Sequence, residues 1–458
     1  MNLIHRNTNS NMQSFFSNIS SNSLFTNALK LSSSNVILYL LPLIVTPILS
    51  RIYPPDTFGG WGIFSSTTVI LTVLLLGGYE YAIVKAKQQE IKSIIHLCIL
   101  CGVFSILLIF SVFSIGEWSG VSFFELFPAK NLLYIYLFIS IPLIITQNFA
   151  NRIEYYSQLA ISYLILGLSQ AILRILFGLF HINQNGLILG TTIAQGIACL
   201  YLILCLKKNF RLFFSKVILN KIKQTAVKYK NFPLFDAPAS LLSFSAFNLP
   251  IIILSLYYSK ADIGCFSIII QLLLMPMSFI GAAIGKVYYQ QIAKSNNDIH
   301  LIHEKSLSIY NVLSYIALMP SVFILLGGNT LIVYFLGNQW HLAGDVALCL
   351  SIWSIPTILS QPLLPIYRCF NLQKRTMRYN AIYFISGIGA VWIGCESGLN
   401  LTLILSLFTL CCFISKTLLV LDILKISQIK ISQLPSFALA LLVFVLILWI
   451  IRIAIVNM

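Results

Sequence analysis

The chain has 458 residues, of which 58% are apolar and 9% charged, against roughly 45–50% and 25% in soluble domains. Because so little charge cannot keep a soluble protein dispersed, the composition excludes an ordinary cytosolic enzyme, a disordered chain and a secreted disulfide scaffold. The net charge of +16 is compatible with a nucleic-acid binder, but the apolar content excludes that class too. The sequence therefore predicts a helical protein that crosses a membrane many times.

The apolar runs predict thirteen membrane-spanning helices. Residues 1–29 are rich in Asn and Ser and are interpreted as a cytoplasmic tail, because they contain no long apolar core. A transmembrane helix needs about 20 mainly apolar residues. Such runs lie at 30–50, 60–83, 93–115, 132–150, 160–180, 186–206, 238–258, 263–285, 306–328, 345–366, 380–396, 399–421 and 436–456.

The basic residues orient these spans. With the amino terminus inside, 23 of the 29 Lys and Arg residues fall on the cytoplasmic side and three on the outer side. Cytoplasmic loops carry the excess of basic residues in membrane proteins. The sequence therefore predicts a multi-pass protein with a cytoplasmic amino terminus.

The longest cytoplasmic segment, residues 207–237, divides the chain into two halves. It mixes apolar and basic residues and is predicted to form an amphipathic helix on the inner leaflet. Residues 30–206 then form an amino-terminal lobe of six spans, and residues 238–421 a carboxyl-terminal lobe of six. The segment 422–458 carries the extra thirteenth span.

The two halves contain a short repeat. Tyr53–Ile63 follows span one and Tyr258–Ile268 follows span seven, and they match 205 residues apart at Tyr, Gly, an aromatic residue and Ile. Because six spans is an even number, the repeat is parallel and predicts a pseudo-two-fold axis along the membrane normal. The predicted fold class is thus all-α and polytopic, with two six-helix bundles around a cavity. Rocking of the two bundles would give alternating access to that cavity.

Prolines fall inside the equivalent first spans of both halves. They are Pro42 and Pro47 in span one and Pro250 in span seven. An interior proline removes a backbone hydrogen bond and permits a kink. We interpret these residues as bending points for gating.

Five segments resemble one family, in chain order. Arg51-Ile-Tyr-Pro-Pro-Asp-Thr-Phe-Gly59 is similar to the Arg-Leu-Tyr-Ser-Pro-Glu-Asp-Phe-Gly turn of Wzx-type polysaccharide flippases. These belong to the multidrug/oligosaccharidyl-lipid/polysaccharide (MOP) exporter superfamily. Further matches are Gly78–Ile83, Gly186–Gly190, Tyr229–Pro233 and Phe335–Gly344. The chain departs from the family at Gly78, where the usual residue is Arg, and in its thirteenth span.

The resemblance implies transport of an oligosaccharide repeat unit on undecaprenyl diphosphate across the bacterial inner membrane, for O-antigen or capsule biosynthesis. It implies no enzyme activity and no cofactor. The implied partners are the lipid-linked glycan and membrane lipids, with a polysaccharide polymerase as a further candidate and no nucleic acid. A hydrated headgroup that carries a diphosphate needs a wet, cationic cavity, while its lipid tail stays in the bilayer.

Five residues are predicted to meet such a cargo. Arg174 lies well inside span five, where a charge costs several kcal/mol unless it faces protein or water. The diphosphate would be its natural partner, and an internal ion pair or snorkelling to the outer face is the alternative. Arg152 and Arg368 follow spans four and ten on the cytoplasmic side, where the topological charge bias explains them equally well. Asn148 and Asn248 would bind sugar or form interhelical hydrogen bonds.

Two carboxylates are candidates for coupling. Glu80 near the inner end of span two would pair with a cation on the inner side or titrate in a proton-coupled cycle, or would simply lie in water at the boundary. Asp236, between two prolines, would take part in coupling or cap the seventh span. The six histidines are scattered, so no metal site is expected.

Three competing functions differ in what they require. An ion-coupled small-molecule exporter of the multidrug and toxic-compound extrusion (MATE) type predicts an acidic cavity, whereas the deepest charge here is Arg174. A membrane glycosyl polymerase or ligase would need a large outer loop, and the outer loops are short. A flippase for the peptidoglycan lipid precursor differs only in headgroup and is not separated by the sequence.

Overall fold

The computed structural model describes residues 41–121, 123–124, 127–182, 185–207, 219–294, 298–370 and 372–456. In these ranges the chain forms helices and no strands. The predicted tail 1–29, the first part of span one and residues 208–218 of the linker lie outside them. Within the described part, ten helical segments are long and apolar enough to cross a membrane. The chain is therefore an all-α multi-pass membrane protein.

Seventeen helices follow one another in the described ranges. The first half contains α1 (Leu41–Ile52), α2 (Pro55–Leu75), α3 (Glu80–Lys85), α4 (Ile91–Trp118), α5 (Lys130–Arg152), α6 (Tyr156–Leu179) and α7 (Gly186–Cys205). The linker contains α8 (Leu219–Lys228). The second half contains α9 (Ala237–Leu254), α10 (Lys260–Lys294), α11 (Ile299–Leu336), α12 (His341–Leu350), α13 (Ser354–Ser360), α14 (Pro365–Cys369), α15 (Gln373–Glu396), α16 (Leu401–Ile426) and α17 (Ser436–Val456).

The two halves meet where α2 packs against α9 and α10. A Cβ built on Gly59 would lie 1.8 Å from the carbonyl oxygen of Lys260, and one built on Gly264 would lie 2.0 Å from that of Pro55. Gly264 is the equivalent of Gly59 in the second half, and Lys260 is the equivalent of Pro55, each 205 residues further along the chain. The two contacts therefore join the same pair of equivalent positions with the halves exchanged. One contact therefore occurs twice around a pseudo-two-fold axis, which confirms the predicted repeat. We call this α2–α10 contact the seam.

The lobes also touch at the end of the bundle opposite the linker. Ser50 Oγ donates to the Leu336 carbonyl at 2.7 Å, and Trp340 Nε1 donates to the Ser50 carbonyl at 2.8 Å. The rings of Phe58 and Trp340 meet edge to face at 5.1 Å. These contacts close this end of the space between the lobes.

Span ten is not one continuous helix. The predicted span 345–366 is divided into α12, α13 and α14 by short 3₁₀ turns at Ser351–Trp353 and Gln361–Leu363. Pro356 and Pro362 each lack the backbone N–H that a continuous helix would use. The break is tolerated because the segment is buried in protein rather than lipid.

Helix α17 occupies the predicted thirteenth span and packs along α11 and α12. Trp449 Nε1 donates to the carbonyls of Leu348 and Cys349, both at 3.2 Å. These carbonyls belong to the last turn of α12, and the Leu348 carbonyl also accepts from the Ser351 backbone N–H and, at 2.8 Å, from Ser351 Oγ. The extra helix thus supports the broken span.

The described part of the linker rests on the amino-terminal lobe. In α8, Ile222 is buried, and the Tyr79 hydroxyl donates to the Ala226 carbonyl at 3.3 Å. Lys228 and Tyr229 both bind the carboxylate of Glu90. The predicted helix is present. Its described part packs against the amino-terminal lobe and also carries exposed basic residues.

Candidate functional site

Arg174 is buried in α6, with 7% of its surface exposed. Its Nη2 donates to Thr191 Oγ1 at 2.8 Å, and its guanidinium lies over the Trp61 ring, 4.6 Å from the centroid. Its Nε has no hydrogen-bond partner in the described part of the chain. No ion pair between described residues includes Arg174. The described surroundings therefore favour neither an internal ion pair nor snorkelling.

Small and hydrogen-bonding neighbours hold Arg174 in place. A Cβ on Gly190 of α7 would lie 2.9 Å from Arg174 Cγ, so the absence of a side chain there makes room for the arginine stem. The Tyr53 hydroxyl donates to the Arg174 carbonyl at 2.7 Å and ties α6 to the end of α1. The cation is thus positioned by α1, α2, α6 and α7 together.

Arg174 lines a small pocket between the lobes. The pocket has a volume of about 60 Å³ and is shared with Pro42 of α1, Gln170 of α6 and Gln271 of α10. Because Gln271 belongs to the carboxyl-terminal lobe, the pocket lies between the two lobes. Of the predicted bending points, Pro42 is the one that lines it.

The other predicted cargo-binding residues in the first half do not line this pocket. Arg152 Nη1 donates to the carbonyls of Ile83 at 2.7 Å and Val84 at 3.3 Å, so the cation stabilises the carboxyl end of α3. Asn148 Nδ2 donates to the Ile144 carbonyl of its own helix at 2.9 Å. The side-chain nitrogen of Asn148 therefore does not form the expected interhelical hydrogen bond.

In the second half the predicted residues are dispersed. Asn248 Nδ2 donates to the Phe244 carbonyl of its own helix at 2.8 Å. Arg368 lies in α14, near the linker-side end of the bundle, and its side chain is outside the described part. Pro250 is buried within α9, and the Pro47 carbonyl accepts a hydrogen bond from Arg51 at 2.7 Å.

The two predicted coupling carboxylates differ in their surroundings. Glu80 begins α3 and is buried, with Oε2 unpartnered among the described residues. The interpretation of Glu80 as a boundary residue in water is therefore wrong. Asp236 is exposed at the position before α9 and makes no capping hydrogen bond. It has helical dihedral angles (φ −74°, ψ −42°), whereas a capping residue needs extended ones.

A second buried cation was given no role by sequence reasoning. Lys416 of α16 is 7% exposed and lies 4.4 Å from the centroid of the Tyr383 ring. It does not line the Arg174 pocket. In the described ranges, no three His, Cys, Asp or Glu side chains cluster closely enough to hold a metal ion.

Two six-helix lobes and a seam between them define the fold that this chain shares with solved transporters of the MOP superfamily. The chain belongs to the polysaccharide biosynthesis protein family, whose model matches residues 48–344. No curated protein sequence matches the chain.

Solved structures share the fold. The chain is similar to the lipid II flippase MurJ in an inward closed conformation, with 13% identity, a TM-score of 0.66 and coverage of 93% of this chain and 98% of that one. It is also similar to an inward-facing multidrug resistance MATE family transporter of the MOP superfamily, with 13% identity, a TM-score of 0.63 and coverage of 88% and 98%. A MOP superfamily transporter from Pyrococcus furiosus matches with 13% identity, a TM-score of 0.55 and coverage of 88% and 95%. At this identity the likeness concerns the fold alone.

Proposed function

We propose that this protein is a flippase for undecaprenyl-diphosphate-linked oligosaccharides. It would move the repeat unit from the cytoplasmic to the outer leaflet of the bacterial inner membrane for O-antigen or capsule biosynthesis. The observation that carries the proposal is Arg174, a buried guanidinium that faces an interlobe pocket and pairs with no described carboxylate. The family membership supports a role in polysaccharide biosynthesis.

A diphosphate suits the Nε donor of Arg174, which has no hydrogen-bond partner among the described residues. Guanidinium–phosphate hydrogen bonds are charge-assisted and stronger than neutral ones. Removal from bulk water strengthens the attraction further, since charges interact more strongly at low dielectric. The neighbouring Gln170 and Gln271 add neutral donors and acceptors. The lipid chain would remain in the bilayer while the headgroup passes between the lobes.

The closed end opposite the linker would set the direction in which cargo is received. The contacts of Ser50, Leu336 and Trp340 seal the lobes on the side opposite the linker. With the linker in the cytoplasm, as the charge distribution predicts, this state would receive cargo from the cytoplasmic side. Membrane lipids and a polysaccharide polymerase are the proposed partners.

The same pocket argues against a small-cation exporter. Such a protein needs carboxylates in its cavity, and the described lining of this pocket carries a cation and two amides. The buried Glu80 is instead at the linker-side end of α2. A peptidoglycan lipid precursor also carries a diphosphate and would suit the same pocket. The two flippase functions must therefore be distinguished by which lipid accumulates when transport fails.

The test replaces Arg174 in cells that otherwise lack the protein. Arg174→Ala should abolish polysaccharide display and cause its lipid-linked precursor to accumulate, at a normal protein level. Arg174→Lys should be partly active, because an ammonium keeps the charge but lacks the planar fork. Arg174→Glu should be the least active, and exposed Lys221→Ala should match wild type. Wild-type display by Arg174→Ala would refute the proposal, and accumulation of a peptidoglycan precursor would identify the other flippase.

The proposed orientation needs its own experiment. Lys223→Cys in a cysteine-free variant places a single thiol on the exposed face of α8. A membrane-impermeant maleimide should leave it unlabelled in intact cells and should label it after lysis. Labelling in intact cells would place the linker outside and reverse the direction of transport.

A further inference from the structure

We propose that the carboxyl-terminal lobe contains a separate site for the saccharide part of the cargo, an inference that rests on the proposed function. A cavity of about 560 Å³ opens at the linker-side end of this lobe, between α9, α10, the broken span ten and α15. Its volume lies within the range of about 300–1,000 Å³ that is typical of ligand sites. We call it the C-lobe cavity.

The surface of the C-lobe cavity is mainly apolar but carries several hydrogen-bonding groups and, among the side chains that the structure describes, no charge. Its hydrogen-bonding groups include those of Ser243, Tyr289, Gln361, Thr376 and Asn380. This composition differs from that of the Arg174 pocket. A neutral lining with several donors and acceptors suits sugar hydroxyl and amide groups better than a diphosphate.

Two amides and one ring are available to a ligand. The side chains of Gln361 and Asn380 form no hydrogen bond with any described residue, so each offers both a donor and an acceptor. Tyr289 is 44% exposed. Its ring therefore presents an apolar face with a polar tip, which matches the alternation of C–H and O–H groups on a sugar ring.

Two glycines of α10, Gly281 and Gly285, leave room for the C-lobe cavity. A Cβ built on Gly285 would meet the Pro362 carbonyl oxygen at 3.5 Å, an ordinary contact, and one on Gly281 would lie 3.1 Å from Gln361 Oε1. A small side chain at position 285 is thus accommodated, whereas a larger one would extend into the cavity. Gly285→Ala and Gly285→Leu are therefore a matched pair of variants, of which only the second should fill the cavity.

Helix α10 joins the C-lobe cavity to the Arg174 pocket. Gln271 lines the pocket and Gly281 lines the cavity, ten residues or about 15 Å further along the helix. At 100° per residue, Gln271, Gly281 and Gly285 fall within an arc of about 80°. One face of α10 therefore lines both sites, and an elongated headgroup could place its diphosphate at Arg174 and its sugars in the cavity.

Binding by the purified full-length protein in detergent separates the two sites. The probes are bare undecaprenyl diphosphate and the lipid-linked saccharide extracted from cells that lack this protein. Gly285→Leu and Asn380→Ala should each weaken binding of the lipid-linked saccharide at least tenfold and leave binding of the bare carrier unchanged. Gly285→Ala should bind both probes like wild type, and Arg174→Ala should weaken both.

The outcomes separate this proposal from the proposed function. Wild-type binding of the lipid-linked saccharide by both Gly285→Leu and Asn380→Ala would overturn the saccharide site while leaving a flippase intact. Equal loss of both probes in Asn380→Ala would also overturn it, because the defect would not be specific to sugar. Failure of the unmodified protein to bind either probe would instead refute the proposed function.

Discussion

Gly62 and Ser267 occupy equivalent positions in the two halves of the chain, and they face each other directly across the seam. A Cβ on Gly62 would lie 2.1 Å from Ser267 Oγ. Equivalent residues that touch each other must lie beside the pseudo-two-fold axis, so this pair marks where the axis passes. Ser267 Oγ and the nearby Trp61 Nε1 are buried without partners in the described ranges. The seam is therefore held by close packing, and these two groups lose no hydrogen bond when it opens.

We predict that Gly59→Ala destabilises the closed seam. The added methyl group would meet the Lys260 carbonyl oxygen at 1.8 Å, and overpacking of this kind typically costs about 1–3 kcal/mol. Thermal unfolding in detergent should show a lower Tm than wild type. Gly389→Ala on α15 is the matched control, because no atom lies within 4 Å of its added Cβ. Equal Tm values for the two variants would contradict the prediction.

We predict that Trp340→Phe weakens closure at the end opposite the linker while keeping the lobes packed. The substitution removes the hydrogen bond to the Ser50 carbonyl but leaves a ring to contact Phe58. The expected loss is about 1 kcal/mol. Trp340→Ala also removes the ring and should cost about 3–5 kcal/mol. Denaturation of both variants under identical conditions checks the order, and an equal loss would contradict the prediction, because it would show that the ring contact contributes nothing beyond the hydrogen bond.

We predict that Gly190→Ala impairs transport by displacing Arg174. The new methyl group would lie 2.9 Å from Arg174 Cγ and 3.0 Å from its backbone nitrogen. Polysaccharide display should fall although the charge remains. Gly196→Ala on the same helix is the control, since its Cβ would make only an ordinary contact, 3.7 Å from Ile139 Cδ1. Normal display by Gly190→Ala at a normal protein level would show that the exact placement of the guanidinium does not matter.

We predict that the linker contact weakens in acid. The hydrogen bond from Lys228 and that from the Tyr229 hydroxyl hold the pKa of the Glu90 carboxyl below its ordinary value. Since the folded-state pKa is lowered, this stabilisation is present at neutral pH and is lost as pH falls through that lowered value. Glu90→Gln should mimic the acid state. Amide hydrogen exchange in α8 should then be faster at neutral pH, and the exposed variant Glu304→Gln should leave it unchanged.

The repeat and the buried arginine were accessible to sequence reasoning, but the partners of the arginine were not. Composition and the lengths of the apolar runs predicted the spans, and the 205-residue offset predicted the pseudo-two-fold repeat. Tyr53 lies in the bend between α1 and α2, Trp61 in α2 and Thr191 in α7. Nothing in their local sequence marks them as neighbours of Arg174. Contacts of this kind depend on helix packing, which one sequence does not encode in any local pattern.

Local backbone geometry accounts for the remaining differences. The break in span ten was not predicted, because Pro356 and Pro362 interrupt the helix without lowering its hydropathy. Asp236 was expected to cap α9, but a preceding π-helical turn from Phe232 gives it helical dihedral angles. Gly78, where the resembled family has Arg, has a φ of +78°. That left-handed conformation strains other residues, so the glycine serves the turn into α3.

The hydrogen bonds of Trp449 tie the last helix to the carboxyl end of α12. Because the hydrocarbon region of a membrane contains no water, no water molecule would replace the lost indole donor there. Shortening the chain after Ile426 would expose the side of α12 that Trp449 covers. The carboxyl-terminal helix should therefore be kept in every expressed fragment, and a reporter or affinity tag belongs after Val456 rather than in its place.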